Sequence, residues 1–161
     1  MGVIIDSTLS SKDHITRLTS KLNKAWYAIR AVKSLITLHI LQMIFYSNFH
    51  SLLSYGIIFW GNKHFSDSIF KIQKRIIRVI TNIDRRYKHR ELNKKLRTLT
   101  LPSQYIFWLL VSVNKNGSCF LSNSEIHDVN TRYEHNLHLP STNLTWVQNG
   151  VHFREAKYIT T

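Results

Sequence analysis

The stretch FHSLLSYGIIFWGN, residues 49–62, decides how the fold is read. It closes a run from Ser34 to Asn62 without Lys, Arg, Asp or Glu, in a 161-residue chain whose formal net charge is +13. Such a run is a membrane span, the seat of a Ser–His catalytic pair, or the buried helix of a helical domain. A span needs about 20 predominantly apolar residues. Between Leu38 and Trp60 lie His39, Gln42, Ser47, Asn48, His50, Ser51 and Ser54, too many polar groups for hydrocarbon. At helical spacing, Leu38, Leu41, Ile44, Phe45, Phe49, Leu52 and Leu53 gather on one half of a helix. Ser47, Ser51 and Ser54 fall on the other half, a small-residue stripe that a second helix can approach. The pattern predicts an amphipathic helix over Leu38–Leu53.

The catalytic reading fails on geometry. His50 and Ser51 are neighbours, and adjacent helical positions do not face each other. A serine nucleophile also needs a base, an orienting acid and an oxyanion hole. No acid occurs from His14 through Ser66. His50 reads as a core or cap histidine.

Composition bounds the rest. The chain is 43% hydrophobic and 12% aromatic, enough for one modest domain with its own core. With 22 Lys and Arg against 9 Asp and Glu, the natural partner is a polyanion. The single cysteine, Cys119, builds no disulfide framework, and MGVIIDSTLSS lacks the regions of a signal peptide. An intracellular protein that is not secreted is expected.

Around the central helix, GVII (2–5) reads as a short strand. Ser10 or Ser11 is placed to cap the next helix, with Asp13 in its first turn. Ile15, Leu18, Leu22, Ala25, Trp26, Ile29 and Val32 then recur at helical steps, with Arg17, Lys21, Lys24 and Arg30 assigned to the outer face. A third helix is predicted from about Asp67 to Thr81, with Ile69, Ile72, Ile76 and Ile80 as its core stripe. Pro102 opens another, SQYIFWLLVSVNKN. Beyond Gly117 the periodicity fades into loop composition, with two short strands expected near 144–153. The predicted architecture is mainly α, a helical bundle over residues 1–116 with a short N-terminal strand and a weakly ordered, irregular tail over 117–161.

Lys71, Lys74, Arg75 and Arg78 form a second stripe on the third helix. The following segment adds Arg85, Arg86, Lys88, Arg90, Lys94, Lys95 and Arg97. These four and seven make eleven of the chain's 22 basic residues, opposed in that interval only by Asp84 and Glu91. Clustered cations in phase on a helix, with Tyr87 among them, suit a phosphate backbone better than a merely solvated face. All eleven are candidate nucleic-acid contacts.

Other chemistries lack their residues. There is no Gly-rich phosphate loop and no zinc spacing. His135 and His138 have no third ligand at a telling interval, and EHNLHLP reads as an exposed turn. Two-metal polymerase or nuclease chemistry needs clustered carboxylates. The nine acids are scattered, with no two adjacent. No catalytic residue, metal site or cofactor is expected.

Five segments in order, GVIIDSTLSSKDHI, FHSLLSYGIIFWGN, IFKIQKRIIRVI, LTLPSQYIF and IHDVNTR, resemble the end of non-LTR retrotransposon reverse transcriptases of the jockey-like kind. The resemblance runs from Gly2 to about Arg132. It implies that the first segment closes a polymerase palm and that the helices after it form the thumb and its connection. The family's catalytic aspartates would lie upstream of Met1, which stands where the family has Leu, so the reading frame is expected to begin inside a remnant of the element. What the resemblance leaves to this chain is a thumb's grip on RNA or DNA, duplex or single strand, through phosphates and largely independent of sequence. The competing reading is a degenerate helical fragment with no retained activity or only protein–protein contacts. A membrane-surface module is the third.

Overall fold

The computed structural model describes residues 2–4, 11–83, 89–127 and 132–160, and among these the chain is mainly α-helical, as the periodicity predicts. It divides into two compact units, Met1–Gln104 and Tyr105–Thr161. No described residue belongs to a strand of a sheet. Gly2–Ile4, the described part of the expected N-terminal strand, has no strand partner, and Ile5 lies outside the described residues. The Ile4 N–H instead donates to His14 Nδ1 at 3.3 Å.

In the first unit, α1 (Lys12–Val32) buries Ile15, Leu18, Leu22 and Ile29, four of the seven predicted core positions. Ser11 occupies the N-cap position, but in the left-handed region at φ 57° and without a side-chain cap hydrogen bond. The cap expected from its hydroxyl is therefore not made, and Ser10, the other candidate, lies outside the described residues. Asp13 lies in the first turn, where the helix dipole favours it.

The uncharged run forms α2 (Leu38–Ile44), a π-helical segment (Phe45–His50) and α3 (Ser51–Ser54) in succession. Leu41, Phe45, Phe49 and Leu53 are buried, whereas Leu38 is 47% exposed and stands outside the core face. Phe45 and Phe49 stack at 5.4 Å. A single insertion of π geometry shifts the phase of the helix, and such insertions concentrate at functional or irregular packing sites. The helix stops at Tyr55, which is extended, and Gly56, at φ +61°, begins α4 (Ile57–Trp60). FHSLLSYGIIFWGN is thus two helical pieces joined by a glycine, with Phe49, Leu53, Ile57 and Trp60 all buried. The Trp60 indole N–H donates to the Tyr55 carbonyl at 3.1 Å, satisfying its polar edge inside the core. Ser47 and Ser51, assigned to a helix-contact stripe, are exposed.

Helix α5 (Ser66–Thr81) lies against α1, α2 and α6 (His89–Lys95). Its four predicted isoleucines are buried, and Gln73 and Ile77 join them. Asn82 ends α5 in the left-handed conformation at φ 54°, a role suited to asparagine. Helix α7 (Leu101–Lys115) starts with Pro102 in its first turn, and the Thr100 hydroxyl accepts the Ser103 N–H at 3.3 Å.

In the second unit, Gly117–Cys119 is a 3₁₀ turn, followed by α8 (Asn123–Ile126), α9 (Thr145–Gln148) and α10 (Val151–Thr160). The two strands expected near 144–153 are therefore helices. Ser122 and Glu125 form a capping box on α8, a local signal that overrides the weak periodicity. A hydrogen bond from the Ser122 backbone N–H, and a second from its hydroxyl, hold the Glu125 carboxyl below its usual range. The Phe120 and His152 rings stack at 4.5 Å, bringing the 3₁₀ turn against α10. No helix among the described residues is long and apolar enough to cross a membrane.

Candidate functional site

The basic stripe of α5 is set by helical geometry. At about 100° per residue, Lys71, Lys74, Arg75 and Arg78 fall within roughly a third of the circumference, opposite the isoleucines. Burying Ile69, Ile72, Ile76 and Ile80 therefore turns the cations outward. Lys71 and Arg75 are exposed, and Lys74 and Arg78 are half-buried. Lys74 Nζ lies 4.0 Å from the centre of the Phe70 ring, one turn back, so its ammonium is positioned without being neutralised. Among the described residues, no carboxylate lies within ion-pairing distance of any of the four.

Of the seven cations that follow, Arg85, Arg86 and Lys88 lie outside the described residues. Arg90 belongs to the first turn of α6, and Lys94, Lys95 and Arg97 are exposed at and beyond its end. That end is fastened from the π-helical segment. The Tyr46 hydroxyl donates to the Leu96 carbonyl at 2.7 Å and approaches that of Arg97 at 3.3 Å. Burial raises the Tyr46 pKa, the nearby Arg97 opposing the shift. Arg97 itself sits at φ 52°, uncommon for a residue with a Cβ.

The structure brings Arg75 and Arg78 together with cations of α1 that the candidate set omits. Arg30 and Lys33 line the same groove, of ≈ 980 Å³, with Trp26 and Asn82. The Arg30 guanidinium lies 5.6 Å from the Trp26 ring centre, and Lys33 Nζ donates to Asn82 Oδ1 at 2.7 Å, joining the ends of α1 and α5. Arg30 thus parts from the face expected to carry Arg17, Lys21 and Lys24. The signal was present in the sequence: Arg30 lies about 120–180° around a helix from those three and beside Trp26.

The uncharged run holds a second polar cluster. Ser54 Oγ lies 3.3 Å from His50 Nδ1, accepts from Gln104 Nε2 at 2.5 Å, and donates to the His50 carbonyl at 2.8 Å. The Ser–His pairing is at i,i+4 rather than the adjacent His50–Ser51 considered from sequence, where the Ser51 hydroxyl donates to the Ser47 carbonyl instead. A hydroxyl committed to a main-chain carbonyl is a packing element. Burial lowers the His50 pKa, which favours the neutral ring such packing requires.

Elsewhere, His135 is 89% exposed and 3.3 Å from Glu134, and the His127 and His138 rings lie 5.3 Å apart. Among the described residues no group of three or more His, Cys, Asp or Glu side chains is placed to hold a metal ion. No family model, curated protein or solved structure matches the chain.

Proposed function

We propose that this chain is a nucleic-acid-binding helical module, of the thumb kind that its resemblance to non-LTR retrotransposon reverse transcriptases suggests, gripping phosphates without reading bases. The observation that supports it best is the α5 stripe: four cations outside, isoleucines inside, and no carboxylate of a described residue within ion-pairing distance. Cations left unneutralised on a rigid helix offer counterion release on binding a polyanion. The reading assigns no catalytic step to this chain, because the polymerase aspartates of the resembled family have no counterpart among its scattered acids. It involves no cofactor, and RNA or DNA is its partner rather than a membrane.

Fluorescence anisotropy with labelled duplexes of unrelated sequence tests it. Affinity should differ little between sequences and fall steeply with salt, with a slope of log K against log salt near about −5 for five or six contacts. A shallow slope, or binding confined to one sequence, would remove the reading.

One observation favours the protein-contact alternative. On α7, Ile106, Phe107 and Leu110 fall within about 100° of the helix circumference and are all more than a third exposed. A large apolar strip of that kind marks interaction surfaces more often than it marks solvent-facing helices.

A further inference from the structure

The groove between the C-terminal ends of α1 and α5 carries more charge than the helix ends account for. Cations collect naturally at helix C-termini, each of which presents roughly −0.5 of an elementary charge. Two such ends supply about −1. Arg30, Lys33, Arg75 and Arg78 bring four positive charges to the same opening, and no described residue lining it is acidic. About three charges are left over, facing a space of ≈ 980 Å³. That is at the upper end of the about 300–1,000 Å³ usual for ligand pockets.

Its walls also hold donors without acceptors. Arg78 Nε and Trp26 Nε1 are both buried and have no hydrogen-bond partner. Groups in that state are unfavourable, and an arriving acceptor relieves them. The Nε–H edge of a guanidinium, with the neighbouring Nη–H, is one that forks around a phosphate through two parallel hydrogen bonds. Both donors are shielded from water in the free chain, so a ligand oxygen reaches Arg78 Nε only with a turn of its side chain. Lys33 is already held by Asn82, which fixes one rim of the groove in place.

We infer that this groove is a phosphate-binding site, taking a backbone phosphodiester of the nucleic-acid strand, with Arg30 of α1 and Lys33 at its C-terminal end contributing as fully as Arg75 and Arg78 of α5. The inference rests on the nucleic-acid reading and relocates its centre from one helix face to the cleft between two. Trp26 then reports on occupancy, since its ring lies under the Arg30 guanidinium that a phosphate would draw away.

The test compares two pairs of substitutions on one helix, in the full chain, with a labelled DNA duplex. Arg30→Gln with Lys33→Gln removes the α1 side of the groove. Lys21→Gln with Lys24→Gln removes equal charge from the far side of α1. The groove pair should lower the salt slope by about two units and the control pair by almost none. A change in tryptophan fluorescence should accompany binding and vanish in Trp26→Phe, with the circular dichroism of each variant matching the parent. Inorganic phosphate alone distinguishes the source of the anion: it should compete only weakly, and a Trp26 response to phosphate without one to DNA would overturn a backbone ligand. Equal effects from the two pairs, or binding with no Trp26-dependent signal, would overturn the groove while leaving nucleic-acid binding standing. A parent chain that binds neither DNA nor RNA, or that binds only anionic phosphatidylserine vesicles, would overturn both.

Discussion

Gln73 and Leu101 are joined by a hydrogen bond in which the Leu101 N–H donates to Gln73 Oε1 at 2.9 Å, deep in the first unit. The same side chain's Nε2 donates to the Leu99 carbonyl, also at 2.9 Å. One fully buried amide on α5 thus secures the segment leading into α7. The isoleucines around it supply burial but no direction, whereas this bracket specifies where the next helix begins.

Replacing Gln73 by Leu keeps the volume and strands both backbone groups. The expected loss is roughly 2–6 kcal/mol, since each of the two buried, unsatisfied groups costs about 1–3 kcal/mol. Gln73→Glu should destabilise at neutral pH at least as much as Leu, because a fully buried carboxylate accepts from Leu101 but faces the Leu99 carbonyl with neither a donor nor a counter-charge. Denaturant unfolding followed by circular dichroism measures both. A Leu variant as stable as the parent would show that the bracket is dispensable.

Gly56 carries two constraints at once. Its φ of +61° is costly for a residue with a Cβ, and an added Cβ would come within 2.5 Å of Val3 Cγ2. The backbone part alone amounts to about 1–2 kcal/mol. Gly56→Ala should therefore destabilise by at least that much, and Val3→Ala in the same chain should recover the steric share but not the conformational one. If the double variant is no more stable than Gly56→Ala alone, the N-terminal segment does not pack against this turn in solution.

Much of this architecture was legible from residue spacing. The isoleucine stripe of α5 and the apolar seam Leu41, Phe45, Phe49 and Leu53 follow from periodicity, because burial of one helix face is what the pattern records. Gln73 was hidden for the same reason: a polar residue on a core face is invisible to an apolar pattern, and its partners are backbone groups some 26 and 28 positions away. The break at Gly56 was masked because apolar residues continue in phase across it. Past Gly117, α8 and α9 are four-residue turns too brief to show a period, and α8 depends on the local capping box of Ser122 and Glu125. The cations of α5 were visible as a stripe, but the groove with Arg30 and Lys33 is a product of how two helices meet. Nothing in single-helix phase announces such a meeting.

Acidification should weaken the first unit through two histidines. His14 is buried, with Nε2 lacking a partner, and burial followed by the charge of Lys21 lowers its pKa from the ordinary 6.5. Burial likewise lowers that of His50 from 6.5. In the unfolded chain both rings titrate near the ordinary value, so just below it the unfolded state binds more protons than the folded one. Stability is then fully present above about pH 6.5 and falls as pH drops through the depressed folded values. Melting temperatures measured from about pH 7.5 down to about pH 5.5 should decline. His14→Gln, which retains an acceptor for the Ile4 N–H, should make the decline shallower. A melting temperature that stays level across the range, or identical slopes for parent and variant, would mean that neither ring is held neutral by the fold.

The α5 stripe itself is tested by removing its charge without touching its core. Lys74, Arg75 and Arg78 changed together to Gln leave Ile69, Ile72, Ile76 and Ile80 in place, so the helix should persist and thermal stability should change little. Glutamine is nearly as good a helix former as lysine or arginine. If three of five or six phosphate contacts are lost, the salt slope should fall from near −5 to about −2, because each contact contributes about 0.9. Sequence preference should not alter, since phosphate contacts position a ligand without reading its bases. Lys71→Gln alone should lower the slope by about one unit. Lys74→Gln should have a mixed effect: the lost charge weakens binding, and the Phe70 ring beneath it is uncovered. Arg132→Gln serves as the control, because it lies in an exposed turn away from any cluster of cations in the sequence. Salt titrations of duplex binding by these four proteins beside the parent decide the matter. Should the triple variant bind with the parent's affinity and slope, the stripe is a solvated face and the exposed apolar strip of α7 becomes the better guide to function.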